Sequence, residues 1–252
     1  LNDAKRLREK LFSAELLGNG DSDAVLNLVY HKRLDTAWEA EAEALSKTFG
    51  ISVTGRSKGE LKVIGRDYVT RTFEVGGEKL RYIIKQNCFS QPNGSVNEKM
   101  LGWAQNVASG TGDLIELYCG SGNFTVAFAK KYRRVFATEV VKEAIDAAKT
   151  NKELNGLENL YLGRISAEEA TQALGGEREF NRLSGINLQD FDFHTIFVDP
   201  PRSGLGQKGR EFAAGYDEII YISCNPATLK EDLESLTKTH KIEKFAVFDQ
   251  FG

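Results

Sequence analysis

From residue 113 onward, short apolar runs alternate with stretches in which apolar residues recur at helical spacing. Strands are predicted over 113–118, 133–138, 159–162, 195–198 and 218–222, and helices over 124–131, 141–155, 167–174 and 228–237. A further helix over 95–108 leads into the series. Near-continuous apolar strands separated by helices predict a parallel, doubly wound α/β sheet, whose ligands bind at the carboxyl ends of its strands.

The pattern before residue 89 is different. A largely apolar strand over 24–30 precedes a helix over 35–49, where Trp38, Ala42, Leu45 and Phe49 keep helical spacing and Asp35 stands as N-cap. Strand-like pieces follow over 51–53, 61–64, 68–73 and 80–84, and Gly76-Gly77 supplies hairpin turn chemistry between the last two. The turn-rich Ser90-Gln91-Pro92-Asn93-Gly94 then separates the two patterns. The expectation is a small α+β domain over 1–88 and a doubly wound domain over 89–252, without internal repeats.

Bulk composition narrows the class. The 252 residues are 41% hydrophobic and 27% charged, as in ordinary globular chains. No run approaches the ~18 apolar residues of a membrane span, and the charged start lacks the apolar core of a secretory signal. A cytoplasmic protein with no membrane partner is the default. Cys88, Cys119 and Cys224 lie far apart with no CxxC pair, which speaks against zinc, an iron–sulfur cluster or a disulfide framework. The net charge of −3 speaks mildly against nonspecific nucleic-acid binding. Two basic runs, Lys5-Arg6-Leu7-Arg8-Glu9-Lys10 and Lys130-Lys131-Tyr132-Arg133-Arg134, could form a local patch, though a solvated helix face is the commoner meaning of such runs.

Three motifs fall at predicted strand ends. Leu117-Tyr118-Cys119-Gly120-Ser121-Gly122-Asn123-Phe124 is a strand passing through a glycine turn into a helix, where backbone approaches a ligand closely and free N–H groups face it. Glu139 ends the next strand, where a carboxylate can accept hydrogen bonds from the hydroxyls of an adenosine ribose; taken alone, an acid at a strand end is more often a solvated one. The third glycine of the dinucleotide fingerprint is missing and the acid comes early, so NAD is the weaker reading. Asp199-Pro200-Pro201-Arg202 follows the strand over 195–198, and its two prolines hold the loop in one shape. Such a loop suits alignment of a methyl donor with a flat base.

The third motif is Ile220-Tyr221-Ile222-Ser223-Cys224-Asn225-Pro226, which sets Cys224 at a strand's carboxyl end just before a helix. An isolated cysteine is usually a small core hydrophobe. A helix N-terminus, however, favours thiolate, and this one belongs to the ligand edge of the sheet. A thiolate has a use there. Uracil C5 is a poor nucleophile, and addition of a thiolate to C6 turns the ring into an enolate whose C5 can take a methyl group from a sulfonium. A base then removes the C5 proton and the thiolate leaves. Methylation of an amine or a ribose hydroxyl needs no such cysteine.

Together these residues resemble the RNA uracil-C5-methyltransferases, most closely the tRNA (uracil-5-)-methyltransferases that make ribothymidine in the T-loop. The matching pieces are Phe89-Ser90-Gln91-Pro92-Asn93, the 117–124 and 197–205 segments, Tyr221-Ile222-Ser223-Cys224-Asn225-Pro226 and Phe248-Asp249-Gln250-Phe251, in family order over nearly the whole chain. The resemblance implies a Rossmann-like class I methyltransferase domain with S-adenosylmethionine as cofactor and tRNA as partner. It implies that Gln91, Tyr118, Gly120, Asn123, Glu139 and Asp199 bind the cofactor and that Cys224 is the nucleophile. Arg202 either holds the target nucleotide or makes a structural ion pair. The family's proton-abstracting glutamate follows Asp-Gln-Phe by way of a proline and a histidine and is not among these residues, and an RNA-contacting region precedes the part that matches Leu1. No metal is expected, and a monomer is the default. Two alternatives remain: methylation of an amine, against which Arg202 stands where such enzymes carry an aromatic residue, and a non-catalytic RNA-binding module.

Overall fold

A computed structural model of the chain describes residues 4–20 and 22–251. They form two compact units: the residues up to Arg71 with Tyr82–Cys88, and Thr72–Arg81 with the residues from Phe89 on.

The first unit contains α1 (Lys5–Arg8), β1 (Leu11–Gly18), β2 (Ala24–Tyr30), α2 (Thr36–Phe49), β3 (Ser52–Ser57) and β4 (Glu60–Ile64). Its sheet runs β1-β2-β3-β4, with β2 and β3 parallel and the outer pairs antiparallel. A parallel pair needs a crossover, and α2 supplies it. Asp35 caps that helix as its spacing predicts, accepting the Trp38 N–H at 2.8 Å. Trp38 is fully buried among Leu7, Leu28, Tyr30, Leu34, Ala42 and Val53. Its indole explains a glycine inside a strand: a Cβ at Gly55 would collide with the Trp38 ring and stand 2.7 Å from Leu34 Cδ1. The strand β1 and the short α1 are not anticipated from the sequence. Within the first basic run, α1 buries Leu7, and Arg6 and Lys32 both pair with Glu9.

The next two strands, β5 (Tyr68–Val75) and β6 (Glu78–Lys85), form a hairpin. Gly76 and Gly77 turn it with φ of +60° and +84°, the left-handed values that a two-residue primed turn requires.

The second unit holds α3 (Gly94–Val107), β7 (Asp113–Leu117), α4 (Asn123–Ala129), β8 (Val135–Thr138), α5 (Lys142–Leu154), β9 (Leu160–Gly163), α6 (Ala167–Leu174), β10 (Phe193–Val198), α7 (Gly206–Ala213), β11 (Glu218–Tyr221) and α8 (Pro226–Leu236). The sheet order is β11-β10-β7-β8-β9, parallel throughout. The chain therefore steps outward from β7 through β9, returns to the other side of β7, and steps outward again. That is the doubly wound class expected, and its direction reverses between β7 and β10, where such sheets open a ligand crevice. Ile115, Leu117, Phe136, Ile196 and Val198 face Ala170 of α6, Ala213 of α7 and Leu236 of α8. On the opposite face, Phe124 and Phe128 of α4 lie against Phe197, with ring centroids 5.0 and 4.9 Å away. Each such buried ring contributes roughly 1.5–3 kcal/mol, which fixes α4 on the sheet.

The second basic run does not form a free patch. Lys130 pairs with Glu78, Lys131 donates to the Gln105 carbonyl at 2.6 Å, Arg133 forks onto buried Asp113, and Arg134 donates to the Asp190 carbonyl at 2.7 Å. It also leads into the amino end of β8, away from the carboxyl edge.

Candidate active site

The turn after β7 is left-handed at three residues: Tyr118 (φ +63°), Gly120 (+55°) and Gly122 (+81°). The two glycines serve different ends. A Cβ at Gly122 would press on Ala148 Cβ at 3.3 Å, so this glycine lets α4 approach α5. A Cβ at Gly120 would meet nothing within 4 Å, so that backbone borders open space. Tyr118 pays the steric penalty of a side chain in this region, which is uncommon outside functional turns. Glu139, directly beyond β8, grips the same turn. Its Oε2 accepts the Gly120 N–H at 3.1 Å, and its Oε1 accepts those of Val140 and Val141 at 2.7 and 2.8 Å.

Gln91 and Asn123 are held through α3. Asn93 caps that helix by accepting the Val96 N–H at 3.2 Å. The Gln250 side chain clasps the turn before it, donating to Gln91 Oε1 and accepting from the Asn93 N–H, both at 3.1 Å. Asn123, the first residue of α4, exchanges two amide hydrogen bonds of 2.9 Å with buried Asn97.

Asp199 stands at the carboxyl end of β10, where burial pushes its carboxyl up to about 7. Glu116 lies nearby on β7, fully buried. Burial, with Asp199 adding to it, holds its acid well above the usual carboxylate range, and its Oε2 has no hydrogen-bond partner among the described residues. The Glu116 side chain is a buried acid set one residue before the end of β7. Beyond the two prolines, the Arg202 carbonyl accepts from Asn225 Nδ2 at 2.9 Å and from the Thr228 hydroxyl at 3.2 Å. The Arg202 side chain is exposed, and among the described residues it has no carboxylate partner, so the structural ion pair is not found.

After β11 the chain turns tightly. Asn225 N–H donates to the Ser223 hydroxyl at 3.1 Å, the Asn225 side chain caps Ala227 N–H at 3.1 Å, and Pro226 opens α8 without needing a donor. Cys224 is exposed one residue before this cap, whereas Cys119 is buried with its thiol pushed well up by burial and Cys88 is half-buried. Four strand ends thus bring Gly120, Glu139, Asp199 and Cys224 to one edge of the sheet. The edge offers backbone and carboxylates to a polar ligand and an exposed thiol to an electrophile.

Other residues of this edge carry no motif. Asp232 of α8 is 1% exposed and bonded to three neighbours, yet in sequence it is one acid among apolar Leu229, Leu233 and Leu236; a charge set in that stripe is the only signal. Glu116 is likewise an acid set between apolar Ile115 and Leu117 of β7.

A family model described as tRNA (Uracil-5-)-methyltransferase matches residues 1–252. The tRNA/tmRNA (uracil-C(5))-methyltransferase of Stutzerimonas stutzeri is 49% identical, over 96% of this chain and 67% of its own length. That of Proteus mirabilis is 47% identical, over 100% and 70%. Among solved structures, the Pyrococcus abyssi tRNA (uracil-54, C5)-methyltransferase in complex with S-adenosyl-L-homocysteine shares the fold with a TM-score of 0.67 at 20% identity, over 92% of this chain and 59% of that one.

Proposed function

The chain belongs to the tRNA (uracil-5-)-methyltransferase family, and on that footing we propose that it methylates C5 of a uridine in the T-loop of tRNA through a covalent bond between Cys224 Sγ and uracil C6. The family's reaction is methyl transfer from S-adenosylmethionine to uracil C5. The relatives' names carry tmRNA beside tRNA, so the substrate class is wider than the tRNA expected from the sequence. The same reading makes this a cytoplasmic protein; among the described residues no helix is long and apolar enough to cross a membrane.

The residues present fit the cofactor. Gly120 borders open space and takes a left-handed φ of +55° that suits glycine, so its backbone is open to a ligand. Glu139 spends three of a carboxylate's four acceptor sites on backbone N–H groups and keeps one for a ribose hydroxyl. Asp199 is a buried acid poised to ionise beside a cation, since a nearby positive charge favours its carboxylate. Gln91, Tyr118 and Asn123 complete the set that would hold it. When bound, S-adenosylmethionine supplies an electrophilic methyl group.

Cys224 does the chain's own chemistry. Its thiolate adds to C6 of the uracil, the C5–C6 double bond opens, and the electron pair moves to make C5 a carbon nucleophile. After C5 is methylated, loss of the C5 proton to a base restores the double bond and the C6–S bond breaks, returning the thiolate. Arg202, with its side chain free in solvent and its carbonyl tied to Asn225, is placed to hold the phosphate or base of the target nucleotide. The observation that carries this reading is the exposed thiol of Cys224 on the edge that also presents Asp199 and Glu139. An amine acceptor would give such a thiol nothing to do. Methylated RNA, digested and resolved by mass spectrometry, tests it: 5-methyluridine at the T-loop position is expected, and an N-methylated nucleoside, or no methylated nucleoside, overturns it.

A further inference from the structure

Asp232 has a use that burial alone does not explain. Its Oδ1 pairs with Arg210 of α7 at 2.9 Å, while its Oδ2 accepts the Leu205 N–H at 2.9 Å and the Tyr221 hydroxyl at 2.6 Å. Packing α7 on α8 needs no ion, because a buried pair is often no more stabilising than apolar residues of the same volume. What the carboxylate adds is direction. Leu205 closes the loop that begins at Asp199 and carries Arg202; Tyr221 is the last residue of β11, three before Cys224. One side chain therefore joins the two segments that carry the proposed reacting groups.

The loop is shaped to reach it. Gly204 has φ +77°, and a Cβ there would stand 2.7 Å from Asp232 Oδ2 and 3.3 Å from Thr228 Cβ. Only glycine lets the backbone come this close. A second tie lies one turn earlier on the same helix, where Asn225 and Thr228 hold the Arg202 carbonyl. Helix α8, whose first turn follows Cys224, is thus fastened to the Asp199–Leu205 segment at two heights.

We propose that Asp232 is a positioning residue for the attack of Cys224: acting through Leu205 and Tyr221, it sets the separation between the thiol and the base-holding loop without touching either reactant. The proposal rests on the methyl-transfer reading above. A misplacement of about 1 Å can cost on the order of 100-fold in rate even when no contact to the reactants is lost.

The test uses the full chain with T-loop RNA carrying 5-fluorouridine, which halts the reaction at the covalent stage because fluorine cannot leave as a proton. Wild type, Tyr221→Phe and Asp232→Asn are compared in melting temperature, affinity for S-adenosylhomocysteine, and single-turnover rate of adduct formation against RNA concentration. In Tyr221→Phe the adduct rate at saturating RNA falls about tenfold or more, while half-saturation, cofactor affinity and melting temperature stay within about twofold or a few degrees. Asp232→Asn falls further, and Tyr221→Phe decides alone if that variant does not fold. Wild-type adduct rates in the variants, or a loss only in step with cofactor affinity and folded fraction, overturn the positioning role. Absence of adduct in wild type removes the methyl-transfer reading and this proposal with it.

Discussion

Replacing Asp199 by asparagine should make the protein without cofactor more stable in mildly alkaline solution. Burial raises this carboxyl from 3.8 to about 7. A raised folded-state value means that the contribution to stability is full below the unfolded value, near 4, and is lost as pH climbs through the folded value, near 7. Three units at about 1.4 kcal/mol each cap the loss at about 4 kcal/mol, of which about 2 to 3 kcal/mol falls between pH 5 and pH 8. At about 2–4 °C per kcal/mol for a unit of this size, the shift is roughly 5–10 °C in melting temperature. The assay is thermal unfolding followed by circular dichroism from pH 5 to pH 8, for wild type and Asp199→Asn. His194, raised chiefly by its hydrogen bond to Asp217, slopes the wild-type curve in the same direction, so the difference between the two curves is the quantity that reports Asp199. That difference should widen with pH in favour of the variant. Parallel curves, or a variant less stable at pH 8, would refute the claim that the site holds an unfavourable buried charge for its ligand to offset.

Other consequences follow from packing and from Glu139. Gly55→Ala forces the Trp38 ring aside and should lower stability by about 1–3 kcal/mol, read from the urea midpoint at unchanged slope. Glu139→Ala frees the N–H groups of Gly120, Val140 and Val141 and removes the proposed ribose acceptor; S-adenosylhomocysteine binding by calorimetry should weaken on the order of 10- to 100-fold, and unchanged affinity contradicts that role.

The doubly wound half is legible because its strands are buried on both faces and read as largely apolar runs, as Val135-Phe136-Ala137 of β8 and Ile196-Phe197-Val198 of β10 show. Local chemistry served as well: Asp35 caps α2 and Gly76-Gly77 turns the hairpin where the spacing says they should. Strand β1 escapes for want of a pattern. Its exposed face carries Phe12 and Leu16, so the sequence shows no alternation of apolar and polar residues although burial nearly alternates. Helix α7 escapes because Gly206 and Gly209 lower its propensity, and its place is fixed by the Arg210–Asp232 pair instead. The motif residues at the sheet edge could be named because glycines, prolines and a cysteine at strand ends carry their own reasons. Asp232 and Glu116 could not, since their meaning depends on neighbours brought together only by the fold.

The proposed chemistry turns on the sulfur of Cys224 bonding to the pyrimidine. Denaturing electrophoresis and intact mass of the protein after incubation with S-adenosylmethionine and fluorinated T-loop RNA should reveal a stable protein–RNA species in wild type and none in Cys224→Ala, which keeps its cofactor affinity. The same species surviving in Cys224→Ala would contradict the account outright.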